Sequence, residues 1–170
     1  MKIFLFSFQG ALFASKYIIR GGIDMTDIRV ELGLSKFDVR ACGLLRHQGD
    51  LLVSTEVDGT QTLSGGAIKI GETSEEAVIR EFKEETNLDV EVNRLVAIVE
   101  NFFTYENKPY QQIIFVYELT LKEPSQKIKC LEKVNVHWEK ENEVNNLKPV
   151  VLNEIVQLKD NQLKHFVNKD

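Results

Sequence analysis

The chain has few of the residues that build disulfide frameworks, zinc sites or other common reactive centres. Its two cysteines, Cys42 and Cys130, lie far apart and form no CxxC pair, which excludes a disulfide scaffold and a zinc ribbon. The histidines His47, His137 and His165 are isolated in the sequence and indicate no metal site. The motifs GxxxxGK[ST], GxGxxG, HExxH and GxSxG are also missing, so the sequence does not predict P-loop, dinucleotide, zinc-protease or serine-hydrolase chemistry.

Basic residues are in the minority. The 170 residues include 21 Lys and Arg against 26 Asp and Glu, a net charge of −5. This balance disfavours DNA, RNA and anionic membranes as partners, because phosphate groups attract clustered positive charge. The apolar share of 43% is ordinary for a globular domain. The two separated cysteines are typical of reduced thiols, so we expect a cytoplasmic protein, and a homodimer is compatible with the sequence.

The first 24 residues differ from the rest because they contain little charge. Their apolar run is too short to span a bilayer, and Leu12 stands where a signal peptidase needs a small residue. The codons for Arg20-Gly21-Gly22 can contain a bacterial ribosome-binding sequence, which favours Met25 as the true start. The alternative is that residues 1–24 add a strand or a helix to the domain. We expect an N-terminal extension over 1–24, poorly ordered or foreign to the native protein, and a single domain over 25–170.

Hydrophobic periodicity predicts an α/β fold, with a mixed sheet and helices packed on it. A loop over Thr104–Tyr110, a helix start at Pro149 and a frayed, solvated end over Lys159–Asp170 complete the prediction. The predicted strands are Asp38–His47, Leu51–Val57, Gln61–Leu63, Asp89–Phe103, Gln111–Leu121 and Val134–Glu139, and the predicted helices are Thr73–Thr86 and Val150–Lys159.

The first predicted helix has clear local signals at both ends. Thr73 and Glu76 are spaced as a capping box. Val78 and Phe82 belong to an apolar stripe that can pack on a sheet. Asn87 suits the left-handed residue that follows a helix, where Gly is the usual choice.

The other face of this helix concentrates negative charge. Glu81, Glu84 and Glu85 stand at i, i+3 and i+4, and like charges so placed cost about 0.2–0.5 kcal/mol per pair in an isolated helix. Bound Mg²⁺, which prefers oxygen ligands, would reverse that cost. A plain solvated surface is the alternative when the helix is taken alone. Arg80 is placed to orient Glu72 or Glu81 by a bidentate contact.

The spacing of these residues resembles the Nudix box, Gly-x5-Glu-x7-Arg-Glu-U-x-Glu-Glu-x-Gly-U, where U is apolar. The match begins at Gly66 and ends at Leu88, with Asn87 in place of the last Gly. Ser64 replaces the Pro of the usual Leu-Pro-Gly-Gly segment before the box. The flanking strands and the segment around His137-Trp138-Glu139 extend the likeness over about 38–159. The chain therefore resembles the Nudix (MutT-like) hydrolases.

The resemblance implies a Nudix α/β/α sandwich whose catalytic motif is a loop, a helix and a second loop. It implies hydrolysis of the pyrophosphate bond in a small nucleoside diphosphate derivative or a nucleoside triphosphate. Mg²⁺ would be the cofactor, and Mn²⁺ could substitute. By position, the metal ligands would be Glu81, Glu84, Glu85 and the Gly66 carbonyl, while Glu72 and Arg80 would brace the loop against the helix.

The resemblance leaves the general base and the substrate open. Glu81 or Glu85 are the first candidates for the base, and the downstream acids are Glu100, Glu106 and Glu118, the last of which is also explained as a solvent-facing strand residue. The aromatic segment Asn101–Tyr105 and Tyr110 are candidates for stacking on a nucleobase, although ordinary strand packing explains them too.

Three alternatives to a nucleotide pyrophosphohydrolase differ in what they require. Tyr105 lies 17 residues after Leu88, a spacing similar to that in diadenosine polyphosphate hydrolases. A non-hydrolysing Nudix-like sensor is expected to have lost carboxylates from the box, and this chain keeps them. Processing of RNA 5′ ends is expected to need a basic channel, which the acidic balance disfavours.

Overall fold

The computed structural model describes residues 25–56, 58–129 and 135–169, in which a nine-stranded sheet carries two helices. The N-terminal extension predicted over 1–24 lies outside the described residues. The strands are β1 (Arg29–Leu32), β2 (Ser35–His47), β3 (Asp50–Thr55), β4 (Gln61–Thr62), β5 (Gly65–Ala67), β6 (Val90–Tyr105), β7 (Lys108–Leu121), β8 (Asn135–Lys140) and β9 (Lys164–Lys169), and the helices are α1 (Ser74–Thr86) and α2 (Leu152–Val156).

The sheet is mixed, as the sequence predicts. Its main strand order is β4-β3-β2-β7-β6-β9, while β1 and β5 pair with β2 and β8 pairs with β3. The β2–β7 and β6–β9 pairs are parallel, and the others are antiparallel. Strand β2 therefore contacts four other strands and lies at the centre of the fold.

Alternation along β2 assigns the two helices to opposite faces of the sheet. Ala41 belongs to a buried cluster that includes Phe82 of α1. Its neighbour Cys42 belongs to a second cluster that includes Leu152 and Ile155 of α2. The order helix, sheet, helix is an α/β/α sandwich, so the predicted fold class is confirmed. Within the described ranges, no helix is long and apolar enough to cross a membrane.

The ends of α1 follow the local signals of the sequence. The Thr73 hydroxyl accepts a hydrogen bond from the Glu76 backbone N–H, and the Glu76 carboxylate accepts one from the Thr73 backbone. Asn87 adopts a left-handed conformation with φ of 59° and its N–H donates to the Lys83 carbonyl. Glu76 is exposed, and the hydrogen bond from the Thr73 backbone holds its pKa below the usual value.

The predicted loop over Thr104–Tyr110 is wrong, because β6 and β7 continue almost to their junction. Tyr105 pairs with Lys108, and only Glu106 and Asn107 connect the strands. These two residues have φ of 48° and 61°, the left-handed pair that a tight two-residue hairpin turn requires. Pro109 is tolerated in β7 because it lies at the margin of the sheet, before β2 begins to pair with β7 at Tyr110.

The predicted helix over Val150–Lys159 is also shorter in the structure. It covers only Leu152–Val156, and Val151 rather than Pro149 precedes it. The Asn153 side chain bonds the backbone N–H and carbonyl of Leu147 and the carbonyl of Val150. These side-chain bonds hold the preceding segment in turns, which is how Asn commonly competes with a helix.

The prediction of a frayed C-terminal segment is wrong for 164–169, which form β9. This strand pairs with β6 in parallel register, with Val99 opposite Phe166 and Asn101 opposite Asn168. Phe166 packs against the cluster under α2, and Asn168 is buried. The alternation was hidden in the sequence because one inward residue, Asn168, is polar and one outward residue, Val167, is apolar.

Candidate active site

Strand β5 brings the start of the motif against the acidic face of α1. A Cβ at Gly66 would overlap the carboxylate group of Glu81. Gly65 has φ of +147°, and a Cβ there would overlap the backbone of β2 at Ala41. Both positions therefore require glycine, one for the approach of a carboxylate and the other for close pairing with β2.

Arg80 organises the carboxylates of the motif through five hydrogen bonds. Its Nε and Nη2 donate to the two carboxylate oxygens of Glu72 at 2.7 and 3.0 Å. Nη2 also donates to the Ala67 carbonyl at 3.0 Å. Nη1 donates to Glu81 at 2.6 Å and to Glu84 at 2.9 Å. One guanidinium thus connects the loop before α1, the end of β5 and two acidic residues of the helix.

These carboxylates differ in burial and in pKa. The Glu72 side chain is only 5% exposed, and its hydrogen bonds from Arg80 hold its pKa below the usual value despite that burial. Burial raises the pKa of Glu81, although the hydrogen bond from Arg80 opposes this. The Arg80 pKa is raised chiefly by its hydrogen bonds to Glu72, so the guanidinium stays charged. Glu84 is the most exposed of the three carboxylates that bond Arg80, at 45% of its side chain.

The donor chemistry of this face fits a hard divalent cation. Glu81, Glu84 and Glu85 offer only carboxylate oxygens, and the lack of a side chain at Gly66 lets Glu81 lie against the backbone. Across the described ranges, no three acidic, histidine or cysteine side chains already stand together as a metal site. One reason is that the carboxylates of Glu81 and Glu84 are engaged in hydrogen bonds from Arg80.

A cleft of about 480 Å³ borders the motif on the α2 side of the sheet. Gly65 links the two, because it lines the cleft and directly precedes Gly66. Arg40 also lines the cleft, and its Nη2 lies 3.5 Å from the Gly65 carbonyl. Lys148 adds a second basic side chain, while Phe103 supplies an aromatic ring. The cleft therefore presents positive charge and an aromatic surface next to the acidic helix.

The structure separates the aromatic candidates into two groups. Phe103 lines the cleft and stacks on Tyr110 with ring centroids 4.9 Å apart. Tyr105 is 58% exposed and meets Tyr110 edge to face. Phe102 follows the alternation to the opposite face, where the Lys169 ammonium lies over its ring. Of the predicted segment Asn101–Tyr105, the cleft is lined by Asn101, Phe103 and Thr104.

The downstream acids proposed as general bases have other contacts. Glu100 bonds the ring of His165 at 2.9 Å on the exposed face of β6 and β9. Glu118 forms an ion pair with Arg94 at 2.7 Å. Glu106 lies in the β6–β7 turn with a left-handed backbone. Glu81 and Glu85, by contrast, remain on the α1 face that carries the motif.

The cleft is also lined by side chains that were not proposed as site residues from the sequence, among them Arg40, Gln112 and Lys148. Arg40 had a detectable signal, since it alternates with apolar residues on β2 and must share a face with Cys42. Gln112 and Lys148 carried no local signal, because their position depends on how distant segments pair.

The comparisons with known proteins agree with this geometry. The family model described as NUDIX domain matches residues 36–166. Among solved structures, an ADP-ribose pyrophosphatase from Streptococcus suis 89-1591 matches with a TM-score of 0.56 and 16% identity, over 75% of this chain and 98% of that one. A UDP-X diphosphatase matches with a TM-score of 0.57 and 19% identity, over 75% of this chain and 66% of that one.

A MutT protein from Methanosarcina mazei Go1 matches with a TM-score of 0.56 and 19% identity, over 75% of this chain and 94% of that one. At such identities the structural matches establish the fold. The family match covers most of the chain and includes the whole motif from Gly66 to Leu88. This chain therefore belongs to the Nudix family of hydrolases.

Proposed function

We propose that this protein hydrolyses the pyrophosphate bond of a small nucleoside diphosphate derivative or a nucleoside triphosphate. The observation that carries the proposal is that two parts of the site adjoin through the consecutive residues Gly65 and Gly66. The carboxylates gathered around Arg80 meet β5 at Gly66, and β5 forms one wall of the 480 Å³ cleft at Gly65. A pyrophosphate group at this junction would have the acidic helix on one side and basic side chains on the other.

Arg40 and Lys148 supply the positive charge that a substrate phosphate requires at the cleft. Phe103, which also lines the cleft, offers its ring to a base or sugar. The acidic helix repels a polyanion unless a cation intervenes, which supports Mg²⁺, or Mn²⁺ in its place, as the cofactor. Glu81, Glu84, Glu85 and the Gly66 carbonyl are the proposed ligands. Bound there, Mg²⁺ would neutralise pyrophosphate oxygens and favour ionisation of an attacking water.

Glu81 or Glu85 would serve as the general base, whichever is not bound to the cation. Glu81 is half-buried against Gly66, and burial raises its pKa. Arg80 fixes its position at 2.6 Å. Glu72 acts indirectly, through Arg80. The two hydrogen bonds that Glu72 accepts hold the Arg80 guanidinium in the orientation in which it also bonds Glu81 and Glu84.

Diadenosine polyphosphates are the second candidate substrates. The supporting observation is the aromatic cluster of Phe103, Tyr110 and Tyr105 at one end of the cleft, with Tyr105 exposed to a second base. A Tyr105→Ala variant would then lose activity on dinucleotides while keeping activity on mononucleotides.

The proposal is tested by hydrolysis of a panel of nucleotides in the presence of Mg²⁺, with product phosphate and pyrophosphate measured. The panel contains nucleoside triphosphates, oxidised dGTP, ADP-ribose, nucleotide sugars and diadenosine polyphosphates. Glu84→Gln keeps the size of the side chain and removes its charge, and we expect a loss of at least about 100-fold in kcat. Glu91→Gln, at an exposed position on β6, is the matched control and should retain full activity.

Two results would contradict the proposal. One is a Glu84→Gln protein as active as wild type on the best substrate. The other is a wild-type protein that binds nucleotides, as measured by calorimetry, but hydrolyses none of the panel. The second result would support the non-hydrolysing sensor instead.

A further inference from the structure

Three side-chain amides form a hydrogen-bonded chain across neighbouring strands at the cleft. Asn168 of β9 donates from Nδ2 to Asn101 Oδ1 at 2.9 Å. Asn101 of β6 donates from Nδ2 to Gln112 Oε1 of β7, also at 2.9 Å. Asn101 and Asn168 are 4% and 7% exposed, whereas Gln112 is half-buried and lines the cleft. The chain thus runs from a buried edge of the sheet to the wall of the cleft.

An amide chain of this kind can run in either direction, because each amide has a donor end and an acceptor end. Strand β2, which pairs with β7, supplies the group that decides between these two directions. Asp38 of β2 stands opposite Gln112 in register. Asp38 is buried, and its Oδ1 has no hydrogen-bond partner among the described residues. Asp38 Oδ1 makes no hydrogen bond to Gln112, and Asp38 Oδ2 pairs with Arg29 at 3.6 Å and with Arg40 at 3.9 Å. A carboxylate on the neighbouring strand still favours the amino end of the amide on its side, which leaves the carbonyl end for Asn101.

Gln112 consequently presents Nε2 as a donor at the cleft wall. Within the described ranges the structure gives this atom no hydrogen-bond partner, while Oε1 is occupied by Asn101. A hydrogen-bond donor in a fixed orientation is what distinguishes one base edge from another. It donates to a carbonyl oxygen of the base, whereas an amino group at the same place would face a second donor and stay unpaired.

The position of Gln112 along the sheet fits a nucleobase rather than a phosphate. Arg40, next to Gly65, is one step of two residues away on the same face, opposite Ile114. Phe103, opposite Tyr110, is one step away in the other direction. Each step is about 6.7 Å along a strand. Phosphates near Arg40 and Gly65 would therefore place a base near Gln112 and Phe103.

We infer that Gln112 selects nucleotides whose base presents a carbonyl oxygen at the position where adenine and cytosine carry an amino group. Asp38, Asn101 and Asn168 act as positioning residues that hold the Gln112 amide in one orientation. The inference rests on the proposed function, since it assigns the base specificity of the same cleft. It predicts that inosine, guanosine and uridine nucleotides are better substrates than those of adenine and cytosine. Diadenosine compounds should likewise be poorer substrates than the inosine, guanosine and uridine nucleotides.

The first test compares ITP with ATP, which differ only in a carbonyl oxygen against an amino group at one purine carbon. With ATP, the Gln112 donor loses its hydrogen bond and faces the amino group of the base, so we expect a ratio of kcat/KM of about tenfold in favour of ITP. Calorimetry with IDP and ADP, with Ca²⁺ as the oxygen-preferring cation, should show the same order in the dissociation constants. This second readout does not depend on turnover.

Two variants test the amide chain itself. Gln112→Glu replaces the donor with an acceptor oxygen while the other oxygen still accepts from Asn101, so the ratio should reverse in favour of ATP. Asn168→Asp removes the donor at the far end. Asn101 should then turn its amino group toward residue 168 and its carbonyl oxygen toward Gln112. Asn101 and Asp38 would both attract the Gln112 amino group, so the amide would lose its single orientation and the ITP-to-ATP ratio should fall to about one.

The matched control is Val167→Asp, which adds the same carboxylate at an exposed neighbouring position on the opposite face of β9. This control should keep the wild-type ratio. Circular dichroism identifies any variant that fails to fold, and the wild-type ratio and the remaining variant then decide the question.

The outcomes separate the inference from the function on which it rests. An ITP-to-ATP ratio near one in wild type, or a folded Asn168→Asp protein that keeps the full ratio, would overturn the inference. If wild type hydrolyses no nucleotide at all, the proposed function fails instead, and the binding constants of IDP and ADP still decide the role of Gln112.

Discussion

Replacing Arg80 with Lys should destabilise the fold strongly, although the charge is conserved. The guanidinium bonds both oxygens of Glu72, the Ala67 carbonyl and one oxygen each of Glu81 and Glu84. Lysine has its donors on a single atom and cannot make the parallel pair with Glu72. Because the Glu72 side chain is only 5% exposed, water cannot replace the lost partner without a change in the loop.

The expected magnitude follows from this pair. Hydrogen bonds to charged groups contribute about 1.5–3 kcal/mol each, and lysine should keep part of the attraction through its charge. We therefore expect Arg80→Lys to lower the free energy of unfolding by about 3 kcal/mol. For a domain of this size, such a loss lowers Tm by about 6–12 °C.

Urea unfolding followed by fluorescence of Trp138, the single tryptophan of the chain, measures this change. Trp138 lies on β8 and packs against the cluster under α1, so its environment reports on the fold around the motif. Arg29→Lys is the control, because its ion pairs with Asp27 and Asp38 are 3.9 and 3.6 Å long and the side chain is 47% exposed. It should cost less than about 0.5 kcal/mol. An Arg80→Lys protein no less stable than this control would refute the structural role assigned to Arg80.

Three further expectations concern positions with distinct physical causes. Because Asn87 has φ of 59°, Asn87→Gly should be at least as stable as wild type in urea unfolding. Asn87→Ala should lower the free energy of unfolding by about 1 kcal/mol. Equal stability of the two variants would argue against the left-handed cap. Burial raises the pKa of the Cys42 thiol to about 12. In a Cys130→Ser background, Ellman's reagent at pH 8 should therefore react with Cys42 only after unfolding. Rapid labelling of the native protein would contradict this burial. The hydrogen bonds from Arg80 hold the folded pKa of Glu72 below its usual 4.5, so the associated stability is present above pH 4.5 and is lost as the pH falls through the folded pKa. Glu72→Gln should reduce this acid-side loss of stability, measured by urea unfolding at several pH values. An unchanged dependence of the unfolding free energy on pH would locate the acid sensitivity elsewhere.

The features that the sequence predicted well are those whose determinants are close together in the chain. The capping box at Thr73 and the left-handed Asn87 are decided within α1 and its ends, and the structure has both. The family could be identified because the residues from Gly66 to Leu88 form one continuous segment with fixed spacing. The mixed sheet followed from strands that alternate clearly, such as β2.

The features that the sequence did not predict depend on pairing between distant segments. Asn168 looks like part of a polar tail until β9 pairs with β6, which places it beside Asn101, 67 residues earlier. Gln112 likewise gains its significance only from its neighbours on β6 and β2. The shortened α2 depends on the bonds of Asn153 to Leu147 and Val150, which compete with helical bonding in a way that apolar periodicity cannot reveal.

The alternation of β2 has a consequence for how this enzyme can change over time. Its even-numbered residues, including Asp38, Arg40 and Cys42, share the cleft face, while Ala41 and Leu45 pack with α1. Mutations at the even positions can therefore retune what the cleft accepts while the packing beneath α1 is untouched. Mutations at the odd positions change that packing first. A mutational library restricted to the even positions of β2 should consequently yield altered substrate preference at a higher frequency than one spread over the whole strand.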